Sequence, residues 1–282
     1  MKPAPFHWHA PTTLAEAAAL LAEYAPQDGR VLAGGQSLLP AMALRIARPP
    51  HLVDINRVAG LDLLEVVDGV LRIGAVVRHA AFLREAAPGP LGALLAAVAR
   101  HIAHWPIRQR GTFCGSLCHA DPAAEWPLVA AVLDAVMVAH SLRGDRRIAA
   151  AAFQRGLLDT ALEPDELLRA VELPLLAADA RFGFEEVSRR AGDFAQAMAL
   201  AVLRRGPDGR VTEARLGLGG VEPAPRRFPQ AEAMLRGAIP DAALIDAAAH
   251  SVAQAAQPME DEGYRRALTR TVVQRALLQA CA

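Results

Sequence analysis

Lysine is almost missing from this chain. Lys2 is the single lysine in 282 residues, and every other basic side chain is arginine. That excludes a phosphate-loop lysine, a Schiff-base lysine and a serine–lysine catalytic pair. Cysteine is scarce too, with only Cys114, Cys118 and Cys281. An odd, small number builds no disulfide framework, and a reducing compartment is the default. Charge of one sign is also missing: Lys+Arg and Asp+Glu both number 30. Phosphate backbones need positive charge, so nucleic acid is not the expected partner. No stretch reaches the roughly 20 uninterrupted apolar residues that a membrane span needs. The N-terminal Ala/Leu run is broken by Glu16 and Glu23 and has no basic lead-in, so it does not read as a secretory signal. The expectation is a cytoplasmic protein.

What is present is a globular composition, 53% hydrophobic and 21% charged. That length suits one large or two ordinary domains with a real core. Thr13-Leu-Ala-Glu16 has the form of a capping box and predicts a helix to about Tyr24. Val31–Leu32 predicts a short strand, and His51–Val58 another. Leu63–Ala75 reads as a hairpin turning at Asp68-Gly69. Arg78–Glu85 and Leu91–His104 predict helices, Gly111–Asp121 a polar loop, Pro122–Leu133 a helix and Ala135–His140 a strand. Arg143–Arg147 reads as a solvated hairpin tip. Leu167–Leu173 predicts a strand after the turn Glu163-Pro164-Asp165.

Beyond Pro174 the texture changes. Strands are expected over Arg181–Val187, Phe194–Leu203 and Val211–Leu218. Helices follow over Gln230–Arg236, Ala242–Gln254 and Tyr264–Ala280. Strands followed by helices, without βαβ alternation, indicate a separate α+β unit. The boundary falls near Leu175–Asp179.

Two glycine loops concentrate the chemistry. In Ala33-Gly34-Gly35-Gln36-Ser37, consecutive main-chain N–H groups without Cβ atoms can form an anion-binding nest. The same pair also suits a plain turn, and no G-x-G-x-x-G fingerprint accompanies it. The second loop carries Gly111, Thr112, Gly115 and Ser116, with His119, Asp121 and Glu125 behind. Two such loops would clamp the two ends of a pyrophosphate, with the carboxylates accepting from ribose or ribityl hydroxyls. Cys114-x-x-x-Cys118-His119 falls short of a four-donor metal set. His7-x-His9, near a frayed terminus, and His101-x-x-His104, on an Ala-rich helix, read as surface or packing histidines.

Four stretches in register carry a resemblance. They are Ala33–Leu38; Gly111–Ser116 followed by Ala120-Asp121-Pro122; Glu166–Pro174; and Ser188–Ala195. Together they resemble the FAD-binding medium subunit of molybdenum hydroxylases, the carbon monoxide dehydrogenase and xanthine dehydrogenase family, over essentially the whole chain. The resemblance implies an α+β fold. Residues 1–175 would be a two-lobed FAD-binding domain of the vanillyl-alcohol oxidase (PCMH) type, with lobes at about 1–57 and 58–175. Residues 176–282 would be the smaller C-terminal domain of the carbon monoxide dehydrogenase flavoprotein type.

It also implies a site. Ala33, Gly34, Gly35, Gln36, Ser37 and Leu38 would hold the FAD pyrophosphate on one side. Thr112, Cys114, Gly115 and Ser116 would hold it on the other. His119, Asp121 and Glu125 would follow the sugar and ribityl portion, Leu168 would pack near the flavin or adenine, and Glu186 would lie near the flavin. The family's partners are a large molybdenum-cofactor subunit and a small [2Fe-2S] subunit, in a dimer of heterotrimers. Electrons would pass from those clusters through FAD to an external acceptor. Two departures stand out. Cys114 occupies a usual glycine position, so its side chain must fit where the loop normally has none. Glu185-Glu186 stand where many relatives carry a lysine, so Arg189 or Arg190 compensates or the flavin potential differs. A stand-alone flavoprotein reductase or oxidase on the same fold, and a binding module that has lost flavin, are the other readings.

Overall fold

The structure is a computed structural model that describes residues 2–282. The chain opens with β1 (His7–His9), α1 (Leu14–Tyr24), β2 (Arg30–Leu32), α2 (Leu38–Ala43) and β3 (His51–Asp54). The three strands form a parallel sheet in the order β1-β3-β2. The capping box is present: Thr13 Oγ1 accepts from Glu16 N, and the Glu16 carboxylate reaches back to Thr13 N. Ala17, Ala18 and Leu21 form the buried stripe that holds α1 on the sheet.

The His7–His9 stretch is not frayed. His7 and His9 lie on β1, beside His51 on β3. The His51 and Tyr24 rings stack at 4.1 Å, and His9 Nε2 lies 3.0 Å from His51 Nδ1. The strand predicted over 51–58 stops at Asp54, because its carboxylate accepts from Asn56 N and turns the chain into a short 3-10 helix.

Next come β4 (Leu64–Val67), β5 (Val70–Gly74), α3 (Gly89–Ala99), α4 (Trp105–Arg108), α5 (Phe113–His119) and α6 (Glu125–Val132). They are followed by β6 (Val136–Ser141), β7 (Gly144–Ala149), α7 (Ala150–Phe153), β8 (Gln154–Gly156), β9 (Asp159–Thr160) and β10 (Leu167–Pro174). An antiparallel sheet runs β4-β5-β10-β6-β7. The expected Asp68-Gly69 hairpin joins its first two strands, with both turn residues at positive φ.

Several expectations shift here. Residues 79–83 form a 3-10 helix. The helix expected to reach His104 ends at Ala99. Ala103 takes a φ of +43°, and the Arg108 guanidinium donates to the carbonyls of Ile102 and Ala103. The polar loop expected over 111–121 contains α5. Thr112 caps it, and Phe113, Cys114 and Leu117 bury its inner face. Arg143–Arg147 is not a bare tip. The turn is Leu142-Arg143, and Arg146 and Arg147 on β7 pair with Glu166 and Glu172.

The last third contains β11 (Arg181–Ser188), β12 (Ala195–Arg205), β13 (Val211–Gly219), β14 (Arg226–Arg227), α8 (Pro229–Leu235), α9 (Ala242–Ala255) and α10 (Glu262–Cys281). The four strands form an antiparallel sheet in chain order. β12 is buried on both faces, which explains its nearly continuous apolar run. Ala197, Ala199, Ala201 and Leu203 join the core shared with α9 and α10. Met198, Leu200 and Val202 join the core of the preceding elements. Gly183 lets α10 press on β11, since a Cβ there would lie 2.0 Å from Ala276 O. No helix among the described residues is long and apolar enough to cross a membrane.

Candidate functional site

β2 delivers the chain into the first loop. Ala33 O accepts from Asn56 Nδ2 at 2.8 Å, and Gly35 takes a φ of +72°, open to glycine at little cost. Gln36 Nε2 closes back on Gly34 O at 3.1 Å. The next main-chain bond runs from Leu39 N to Gly35 O. The N–H groups of residues 34 to 38 donate to no acceptor among the described residues. Consecutive donors left unpaired by the protein have the form of an anion nest.

The second loop meets the first at Gly34. A Cβ on Gly34 would lie 2.5 Å from Arg110 O and 2.7 Å from Gly111 Cα, so only glycine permits the approach. Gly111 is confined in turn, since its Cβ would lie 2.5 Å from His79 Nε2. His79 N donates to Gly111 O, and Phe113 N donates to Val77 O. Thr112 Oγ1 accepts from Gly115 N at 3.0 Å. The N–H groups of Thr112 and Cys114 find no acceptor among the described residues.

One side-chain chain ties the loops together. Arg78 Nη1 donates to Arg110 O at 2.7 Å, and Arg78 Nη2 donates to Asn56 Oδ1 at 2.6 Å. Asn56 then holds Ala33 O. Burial holds the Arg78 guanidinium somewhat below its usual range, and the Arg110 charge adds to this. Beneath, His79 Nδ1 accepts from Trp126 Nε1 at 2.9 Å. Burial, then the charges of Arg108 and Arg78, push His79 down to about 4, so it stays neutral.

Cys114 does not obstruct the loop. Its Sγ lies 3.7 Å from the carbonyls of Ile73 and Gly74, and the residue is 2% exposed. The side chain points into the core against β5, and burial pushes its thiol well up. The space a glycine would leave open on the loop's outer side therefore stays open.

The acidic residues divide. His119 is exposed at the end of α5. Asp121 caps the following turn by accepting from Ala123 N. Glu125 opens α6 and is buried. Burial, and after it the charge of Glu186, push its carboxyl up to about 8. The Glu186 side chain on β11 is 3% exposed, and its Oε2 has no hydrogen-bond partner among the described residues. Burial pushes it up to about 7. Glu185 faces the other way, to Arg275 and Gln279. Neither Arg189 nor Arg190 pairs with Glu186 among the described residues, and both are exposed. The base that approaches Glu186 is His101, with Nδ1 at 3.8 Å.

The structure thus brings Gly34 of the first loop against Arg110 and Gly111 of the second, and the charge of Glu186 acts on Glu125. Leu168 sits in the main core at 3% exposure. Asn56, Arg78, His79 and Arg110 escaped the sequence reading, and His101, read there as a surface or packing histidine, is the base beside Glu186. Their signal was thin: lone polar residues just after apolar runs. A cavity of about 210 Å³ lies elsewhere, lined by Leu14, Leu61, Leu63, Arg72 and Arg169, and shares no residue with either loop.

The donor set suits a dinucleotide. Unpaired N–H groups match phosphate oxygens, and orphaned Glu186 Oε2 matches a hydroxyl or ring N–H. Comparisons with known proteins point the same way. Residues 4–176 match the family described as the FAD binding domain in molybdopterin dehydrogenase, and residues 182–280 the CO dehydrogenase flavoprotein C-terminal domain. The chain is 35% identical over 284 residues to the nicotine 6-hydroxylase medium subunit of Paenarthrobacter nicotinovorans, covering 99% of each protein. Its structure matches quinoline 2-oxidoreductase from Pseudomonas putida 86 with a TM-score of 0.92 and 37% identity, covering 100% of this chain and 98% of that one. It matches carbon monoxide dehydrogenase from Hydrogenophaga pseudoflava with a TM-score of 0.93 and 34% identity, covering 99% and 98%.

Proposed function

As the chain belongs to the FAD-binding medium subunits of the molybdenum hydroxylase family, we propose that it takes electrons from [2Fe-2S] clusters on a small partner subunit and delivers them through FAD to an external acceptor. Substrate is oxidised at a molybdenum cofactor on a large partner subunit. Three cysteines cannot ligate an iron–sulfur cluster with four thiolates, so the clusters belong to another chain. The assembly is a dimer of heterotrimers in the cytoplasm. Residues 1–175 form the FAD-binding unit and 176–282 the second unit.

The observation that carries this reading is the row of unpaired N–H groups at 34–38, pressed against the second loop through Gly34. Ala33–Leu38 hold one side of the pyrophosphate. Thr112, Cys114, Gly115 and Ser116 hold the other, Cys114 through its main chain alone. His119, Asp121 and Glu125 follow the ribose and ribityl hydroxyls. Leu168 supports the wall from within the core, and Glu186 meets the flavin end. Arg78 and Asn56 keep the two loops at one separation, which pre-organises the donors before the anion arrives. When bound, FAD supplies acceptance and release of electrons, and the protein supplies position, charge and exclusion of water.

The relatives' names mention nicotine, quinoline and carbon monoxide. The substrate pocket lies on the large subunit, so this chain does not choose among them. The test is capture of partners by the tagged chain, with metal analysis of the complex. Co-purifying molybdenum and iron, in a complex that passes electrons to an acceptor only when this chain is present, supports the reading. Turnover of a small substrate by the isolated chain with NADPH or O₂ would overturn it in favour of a stand-alone flavoprotein.

A further inference from the structure

Two buried carboxyls, Glu186 and Glu125, with no arginine or lysine on either among the described residues, are unusual. A buried charge is costly unless it is paired, so such groups hold protons or meet a ligand. Glu186 is the clearer case. Its side chain is 3% exposed and its Oε2 lacks a hydrogen-bond partner among the described residues. The groups around it are few. Glu125 comes from α6, with Asp121 behind it. His101 follows α3 with Nδ1 3.8 Å away, beyond hydrogen-bond reach. Glu185 on the same strand is turned to Arg275 and Gln279, and its charge acts on His101. The Met198 opposite Glu186 on β12 is apolar. The His101 side chain is 42% exposed. A solvent-facing base therefore stands 3.8 Å from a sequestered acid, whose charge also acts on a second buried acid, Glu125.

We propose that His101, Glu186 and Glu125 form a proton relay that connects solvent to the buried end of the flavin site. The inference rests on the FAD reading above and deepens it. Two electrons from the partner's iron–sulfur clusters enter the flavin. With FAD bound and reduced, the O–H bond of the Glu186 carboxylic acid would break and its proton would pass to the cofactor. The Glu186 carboxylate then takes a proton from His101 or from Glu125, and solvent returns one to His101. Release of electrons to the acceptor runs the protons back out along the same groups. The relay supplies the proton that a fixed cation at this position would not.

The pair is tested first in flavin-free protein, by infrared titration of carboxylic-acid carbonyl bands. The expected result is acid that survives at neutral pH and ionises near pH 7 to 8, with part of the signal lost in Glu186→Gln. Ionisation of both groups below pH 5.5 would overturn the proposal.

The link to flavin is tested in the FAD-loaded complex, with every value taken per bound flavin. The reduction potential plotted against pH from 6 to 9 should bend near pH 7 to 8 in the wild type and run straight in Glu186→Gln. The rate of flavin reduction should fall at least tenfold in His101→Ala and recover with added imidazole. A potential curve unchanged by Glu186→Gln, with no loss or rescue in His101→Ala, would overturn the relay while leaving FAD binding intact. A protein that binds no FAD would fail the underlying reading instead.

Discussion

The Arg78 guanidinium stands 2.6 Å from Oδ1 of Asn56, and through that hydrogen bond the two glycine loops are fastened to each other. One arm of the fork reaches the carbonyl of Arg110, and the amide nitrogen of Asn56 reaches the carbonyl of Ala33. Arg78→Lys keeps the charge but loses the fork, because an ammonium is a point donor. We expect a stability loss of roughly 1–3 kcal/mol, from charge-assisted bonds in a half-buried setting. FAD affinity should fall at least tenfold. Asn56→Asp should keep the Arg78 contact and lose the donor to Ala33 O. Fluorescence titration with FAD and urea unfolding of both variants check this.

Gly34→Ala tests the close approach of the loops. The added Cβ would sit 2.5 Å from the Arg110 carbonyl oxygen, and main chain cannot swing aside as a side chain can. Overpacking of this kind costs about 1–3 kcal/mol. The larger effect should be on FAD, because the two donor rows are forced apart. Binding weakened by less than threefold would mean that the loops do not act as one site.

Cys114 gives the opposite expectation. Its thiol faces the Ile73 and Gly74 carbonyls in the core. Cys114→Gly should cost about 1–2 kcal/mol, through the lost side chain and the glycine penalty inside α5. FAD affinity should not rise. An affinity gain in the glycine variant, measured by equilibrium titration, would show that the side chain crowds the cofactor after all.

His79 governs a pH-dependent part of the stability. Its folded value is about 4 against 6.5 unfolded. As pH falls through 6.5 the unfolded chain takes a proton that the folded one refuses. Stability is therefore lost between pH 6.5 and 4, by on the order of 3 kcal/mol when complete. The raised carboxyls of Glu125 and Glu186 act with the other sign. Their contribution is fully present below 4.5 and is lost as pH rises toward 7 and 8. Subtracting the unfolding free energies of His79→Gln from those of the wild type, at pH 7 and pH 5, isolates the histidine. The difference should shrink at pH 5.

Local signals were legible in the sequence. The Thr13–Glu16 box, the Asp68-Gly69 hairpin and the strands and helices after Pro174 need only neighbouring residues. The 111–121 stretch was misread because its helix is built from glycine, serine and cysteine, whose propensities favour loops, and is held by the Thr112 cap and core burial. β1 escaped because its strand exists only through pairing with β3, many residues later. The glycine loops were visible, but the Asn56–Arg78 tie spans separations of 22 and 23 residues that no periodicity encodes. Nor could sequence show which way Cys114 points, since that depends on where β5 runs beneath α5.

We propose that the two loops together hold FAD. The most direct measurement is the visible absorbance of the gently purified chain, with acid release and identification of the chromophore, run beside Gly34→Ala. About one released FAD per chain is expected in the wild type, with a folded but FAD-depleted variant. A colourless wild-type chain that takes up no added FAD, or a variant that holds FAD as tightly as the wild type, would contradict it.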